Sequence, residues 1–212
     1  MKVGILGSGD VARALAVGFL EHGHEVMLGT RKPDKLNDWK AGRAGAGVGG
    51  FADAARFGEL VVLAVRGAAS ADVLRTAGEA NLGNKPVIDA TNPIADKAPV
   101  NGVLHFFTSL DESLVERLQR EFPGVRLVKA FNSVGHASMV NPQFEGGRPT
   151  MFICGNDDRA KKIVTGILDQ FGWDTADMGA VEAGRAIEPL CMLWCIPGFA
   201  RNEWHHAFKL LT

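Results

Sequence analysis

The chain has 212 residues, 46% of them hydrophobic and 22% charged, and its 23 Lys plus Arg nearly cancel 24 Asp plus Glu, so it carries no net field to hold a polyanion such as DNA. No apolar run approaches the roughly 20 residues of a membrane span. The three cysteines, Cys154, Cys191 and Cys195, show no CxxC spacing, which argues against disulfides and against a structural metal set. The expectation is one cytoplasmic globular unit, or a domain with a small appendix, without nucleic-acid or membrane partners.

Lys2 to Leu6 is a short apolar run that leads at once into Gly7-Ser8-Gly9 and then into a stretch with a helical apolar stripe ending near His22. Glu25 to Gly29 resumes an extended apolar run, completing strand, tight turn, helix and strand over about 30 residues. A polar helix is expected over 32–43 and a third strand near 46–50. Leu60 to Val65 is almost continuously apolar, as a strand covered on both faces must be. A helix over 68–80, a strand over 86–90, a helix over 111–121 and a strand over 126–130 continue the alternation to six strands. That pattern predicts an α/β, Rossmann-type doubly wound, mainly parallel sheet with helices on both faces. The loop from His136 to Pro149 reads as a boundary. It divides a nucleotide-binding domain, 1–135, from a small C-terminal α/β lobe, 136–212, with strands near 150–154 and 173–176, a helix over 158–171 and a last helical stretch from Glu182.

Gly7-Ser8-Gly9-Asp10-Val11-Ala12 is G-x-G-x-x-A directly after a strand and opening a helix. There, unpaired N–H groups and the positive end of the helix dipole suit a diphosphate. Gly7 permits the turn, Gly9 lets backbone approach the phosphates, and Asp10 and Val11 begin the helix. Sites for the unphosphorylated dinucleotide usually place a carboxylate at the end of the second strand, but here that place reads Gly29-Thr30-Arg31-Lys32. A hydroxyl followed by guanidinium and ammonium complements the dianionic 2′-phosphate of NADP(H). Ligands in such sheets sit beyond the carboxyl ends of the strands, which adds Ala64, Val65, Arg66, Asn92, Pro93, Ala130 and Asn132 to the expected cofactor contacts.

The motifs Gly7–Ala12, Gly29–Lys32, Ile88–Ile94 (IDATNPI), Lys129–Ser133 (KAFNS), Phe152–Asp158 and Ala183–Leu190 (AGRAIEPL), in that order, resemble the NADP oxidoreductases dependent on a deazaflavin coenzyme. They resemble still more the wider group of dinucleotide-binding reductases around them, which includes the cytosolic domain of the Steap metalloreductases. The likeness covers essentially the whole chain. It implies that Ser8 contacts the diphosphate and that Thr30, Arg31 and Lys35 hold the 2′-phosphate. It also implies a homodimer and a crevice that takes a small-molecule redox acceptor beside the nicotinamide. The chain departs from the deazaflavin enzyme at Asn132, where that enzyme has His, and at Arg66, where it has Pro.

Hydride transfer from NADPH to a deazaflavin, flavin-like or quinone acceptor needs mainly two rings held face to face, and no obligatory acid–base residue. No compelling catalytic cluster stands out, in keeping with that chemistry. Asn132 and His136 are the candidates for a catalytic role. A carbonyl or imine reductase would instead need a proton donor, for which His105, His136 and Lys129 are available. An NADPH-binding sensor without turnover is the remaining reading. Cys191 and Cys195 are spaced to share one helix face, and Trp194, Phe199 and Trp204 could cap the acceptor pocket or form a dimer face.

Overall fold

β1 (Lys2–Leu6) is buried from Val3 onward, because helices lie on both sides of the sheet and β-branched side chains fill both interfaces. In the computed structural model, which describes residues 1–211, five further strands run parallel to it. They are β2 (Glu25–Gly29), β3 (Ala46–Gly49), β4 (Leu60–Leu63), β5 (Pro86–Asp89) and β6 (Arg126–Lys129). Their order is β3-β2-β1-β4-β5-β6, the doubly wound topology expected from the sequence. The chain reverses its winding between β1 and β4, and the crevice opens there, at the carboxyl ends of the strands.

The connecting helices are α1 (Asp10–Glu21), α2 (Asn37–Lys40), α3 (Phe51–Phe57), α4 (Ser70–Ala77), α5 (Glu79–Leu82) and α6 (Leu114–Glu121). α6 starts three residues later than expected because Ser113 caps it, its hydroxyl accepting from Glu116 N while Glu116 accepts from Ser113 N. The polar stretch after β2 is a single 3-10 turn, Pro33–Leu36, followed by the short α2, which stops where Ala41 leaves helical dihedrals and Gly42 takes φ 74°.

Strand parity sorts the side chains into two cores. Ile88, Val128 and Ala130 face the core shared with α1, whereas Val87 and Leu127 face the one shared with α6.

Beyond β6, β7 (Thr150–Ile153) and β8 (Asp174–Asp177) form a parallel pair around α7 (Asp158–Gln170). This pair meets the large sheet through an antiparallel bridge in which Lys129 N donates to Cys154 O at 2.9 Å. Ala160, Val164, Ile167 and Leu168 of α7 join the same core as α1. Phe171 lies 4.8 Å from Phe19 and 6.2 Å from Phe131, ring centre to ring centre. The last helices are α8 (Gly184–Ile187) and α9 (Pro189–Arg201), joined through Glu188, which keeps helical dihedrals. Residues 202–211 are irregular but anchored: Thr150 N donates to Phe208 O, and Trp194 Nε1 donates to His206 O. Among the described residues no helix is long and apolar enough to cross a membrane.

Phe171 is fully buried where α7, α1 and the loop after β6 meet. Phe171→Ala should therefore lower the unfolding free energy by about 3–5 kcal/mol. Urea titrations followed by circular dichroism and by tryptophan fluorescence should give one coincident transition.

Candidate functional site

The turn between β1 and α1 has no room for a side chain at its first glycine. Gly7 sits at φ 146°, and a Cβ there would fall 2.1 Å from Ala64 O. Gly9, the residue before α1, is the opposite case: nothing lies within 4 Å of where its Cβ would be, and no side chain caps the helix. The first N–H groups of a 12-residue helix therefore face an open cradle with the positive end of the helix dipole behind them. Such a cradle fits a dinucleotide diphosphate.

A cleft of about 820 Å3 runs over this cradle. Gly7, Ser8, Gly9, Asp10 and Val11 form one wall, Thr30 and Arg31 the second, and Ala64, Val65, Arg66 and Ala90 the third. Beside it lies a second depression of about 470 Å3, lined by Ser8, Thr30, Arg31, Lys32 and Lys35 together with Arg13 and Leu36. No carboxylate is among these lining residues. Ser8 Oγ donates to Thr30 Oγ1 at 3.4 Å, which ties the glycine turn to the end of β2. The structure thus brings together the residues that the sequence singled out at these two strand ends. It adds Arg13, whose Nε donates to Ser8 O at 3.0 Å. Arg13 lies four residues after Gly9, so one helical turn carries its guanidinium back toward the cradle.

The ends of β5 and β6 behave differently. Ala130 is fully buried and Asn132 is 3% exposed, so both lie under the crevice floor rather than in its lining. Strand parity turns Ala130 into the core with Val128. Asn132 Nδ2 donates to Ile187 O at 2.9 Å, and its main-chain oxygen accepts from Asn92 Nδ2 at 2.8 Å. Pro93 is buried beside Asn92. Between Ala130 and Asn132, Phe131 adopts the left-handed conformation, φ 61°, a strained state for a bulky residue, and donates its N–H to Met151 Sδ. His136 is exposed and lines a separate groove along α1 with Trp39 and Val140.

The sequence pattern of the family described as NADP oxidoreductase, coenzyme F420-dependent, matches residues 2–93. A crystal structure from Arthrobacter sp. FB24, described as a candidate F420-dependent NADP reductase, superposes with a TM-score of 0.93 at 33% identity, covering 100% of both chains. The chain belongs to the coenzyme F420-dependent NADP oxidoreductase family. The F420-dependent NADP reductase of Methanocaldococcus jannaschii is 28% identical to this family member over 91% of this chain and 90% of its own length. Metalloreductase STEAP3 of Rattus norvegicus is 30% identical over 92% of this chain, which spans only 38% of that longer protein.

Beneath the crevice, this F420-dependent NADP oxidoreductase family member holds a buried ion cluster that sequence reasoning did not assemble. Asp89 ends β5 and Lys129 ends β6; they are partners in the strand register, and Glu188 joins them from between α8 and α9. Lys129 Nζ lies 2.7 Å from Asp89 Oδ2 and 3.0 Å from Glu188 Oε1, and donates to Thr91 O at 2.9 Å. Asp89 and Lys129 have no exposure at all and Glu188 has 1%. Leu114 N and Val115 N, at the start of α6, donate to Glu188 at 2.8 and 2.9 Å. Those two N–H groups offset the excess negative charge.

Burial on its own would pull the Lys129 pKa down, but the charges of Asp89 and then Glu188 outweigh it and hold the ammonium above its ordinary range. Burial also pushes the nearby Cys154 thiol up to about 12, against the opposing pull of Lys129.

Lys129→Met would leave two carboxylates buried without their cation, and should cost about 3–5 kcal/mol of stability. Because the folded pKa of Lys129 is raised, its stabilisation is complete below the unfolded value of about 10.4 and fades only as pH rises through the higher folded value. Wild-type stability from urea unfolding should therefore show no loss traceable to Lys129 between neutral pH and about pH 9, whereas Lys129→Met, whose uncompensated carboxylates take up a proton on folding, should lose stability as pH rises.

Proposed function

We propose that the protein transfers hydride between NADP(H) and a small-molecule redox acceptor of the flavin-like, deazaflavin or quinone class, with coenzyme F420 as the acceptor to try first. The observation that carries this reading is the carboxylate-free depression of Arg13, Arg31, Lys32 and Lys35 beside the uncapped glycine turn. Four cations next to a diphosphate cradle suit the extra phosphate of NADP(H) and leave the unphosphorylated cofactor without its usual acidic partner.

In this reading Gly7, Ser8, Gly9, Asp10 and Val11 hold the diphosphate, and Thr30, Arg31, Lys32 and Lys35 hold the 2′-phosphate. Ala64, Val65 and Arg66 line the adenosine end. Asn92, Pro93, Ala130 and Asn132 shape the floor under the nicotinamide and acceptor. NADPH supplies the hydride, and the chain supplies orientation and exclusion of water. A direct catalytic role for Asn132 is disfavoured by its burial, and one for His136 by its place in a different groove.

Residues 1–135 carry the cofactor half, and 136–212 cover the acceptor end and contribute the face of a homodimer. The exposed Leu193, Phe199 and Trp204 support that dimer face. A cytoplasmic setting agrees with three free cysteines.

The test is anaerobic loss of NADPH absorbance with coenzyme F420, FMN, a quinone and a ferric chelate in parallel, with NADH as the matched control. Turnover with NADPH and little with NADH is expected in at least one well; tight NADPH binding with silence in every well would point instead to a sensor or to a carbonyl or imine substrate. Hydrogen bonds to a charged group are worth about 1.5–3 kcal/mol, so Arg31→Ala should weaken NADPH binding roughly ten- to hundredfold and leave NADH nearly unchanged. Equal losses for the two cofactors, measured by fluorescence titration, would remove the 2′-phosphate assignment.

A further inference from the structure

We infer that Glu188 is a positioning residue that sets the acceptor end of the crevice by locking three separate chain segments to one another. The inference rests on the reading that the acceptor binds above the ends of β5 and β6.

The first segment follows β5. Lys129 Nζ donates to Thr91 O at 2.9 Å, while Thr91 returns its N–H and hydroxyl to Asp89 Oδ1 at 2.9 and 2.6 Å. The second follows β6, where the main-chain oxygen of Asn132 accepts from Asn92 Nδ2 and the Asn132 amide donates to Ile187 O. The third is the junction of α8 and α9, where Glu188 takes the ammonium of Lys129 on one side and Leu114 N and Val115 N of α6 on the other. Glu188 and its neighbour Ile187 are thus where the C-terminal helices grip both crevice loops.

None of these bonds reaches the glycine turn or the end of β2, where the cofactor's phosphates are expected. Burying charges is costly even when they are paired, so net stability is a weak reason for such a cluster. Directional bonds supply something apolar packing does not, a fixed register between loops. One of those loops carries Phe131 in a strained left-handed conformation that its surroundings must hold in place. Asp89, Thr91, Lys129 and Glu188 come from three of the sequence motifs that mark this family, and the cofactor contacts use none of these four side chains.

The experiment compares wild type with Glu188→Gln, which keeps the volume and one acceptor but removes the charge. The readouts are the KM for coenzyme F420, the NADPH Kd by fluorescence, and amide hydrogen exchange by mass spectrometry. A rise of tenfold or more in the KM for coenzyme F420 is expected, with the NADPH Kd changed less than twofold. Faster exchange is expected in segments 91–95 and 131–135 but not in 7–13 or 30–36. Leu82→Ala is the control: it opens a cavity in the core at α5 and lowers overall stability, yet should leave KM and the exchange of both loops unchanged. Should Glu188→Gln fail to fold, Glu188→Asp retains the charge but shortens the reach, and the same split is expected at smaller amplitude.

A wild-type KM in the variant, an NADPH Kd that rises in step with KM, or unchanged loop exchange would overturn the inference. If wild type itself leaves coenzyme F420 unreduced, the acceptor reading fails, while the exchange data still decide whether Glu188 holds the loops.

Discussion

Everything in this molecule is arranged around how closely its central backbone segments approach one another. α3 packs directly on β1: a Cβ at Gly4 would lie 2.0 Å from Ala54 O, closer than any side chain allows. That contact fixes the spacing between helix and sheet beside β1, next to where the winding reverses. The glycine turn, the end of β2 and the end of β4 then meet over a short distance, and three chain segments far apart in sequence present backbone and cations to one cleft.

The two halves of the crevice are built on different physics. The cofactor half is open and electrostatic, with uncapped helical N–H groups and exposed cations that remain hydrated until a ligand arrives. The half at the ends of β5 and β6 is closed and internally bonded, with those ends tied to the last two helices and no exposed charge among Asp89, Lys129 and Glu188. This division suits the proposed function, in which one site recognises a phosphate pattern and the other holds a flat ring against the nicotinamide.

Much of this was legible in the residues. The apolar run of β1, the glycine turn and the stripe of α1 specify a βαβ unit locally, and Thr30, Arg31 and Lys32 declare their chemistry because they directly follow a strand, whereas Lys35 was marked only by the family resemblance. Other features had no local signal. Arg13 looks like any exposed position of an amphipathic helix until the backward tilt of helical side chains is considered. Ala130 and Asn132 were expected to touch ligand because they end a strand, but strand parity and the bond to Ile187 turn them inward. Asp89, Lys129 and Glu188 are 40 and 59 positions apart, and no periodicity announces an ion cluster made by tertiary folding. Residues 94–106 carry short antiparallel bridges too small to leave a pattern.

The composition of the cationic depression has a consequence for how the protein discriminates. Its cations are solvent-exposed, so their pull on a dianionic phosphate is screened over a Debye length of about 8 Å at physiological ionic strength and over far longer distances in dilute buffer. On the proposed 2′-phosphate assignment, the preference between the two nicotinamide cofactors is therefore not a constant of the fold. It is a quantity that salt tunes, greatest in dilute solution and compressed toward the contribution of direct hydrogen bonds as counterions accumulate.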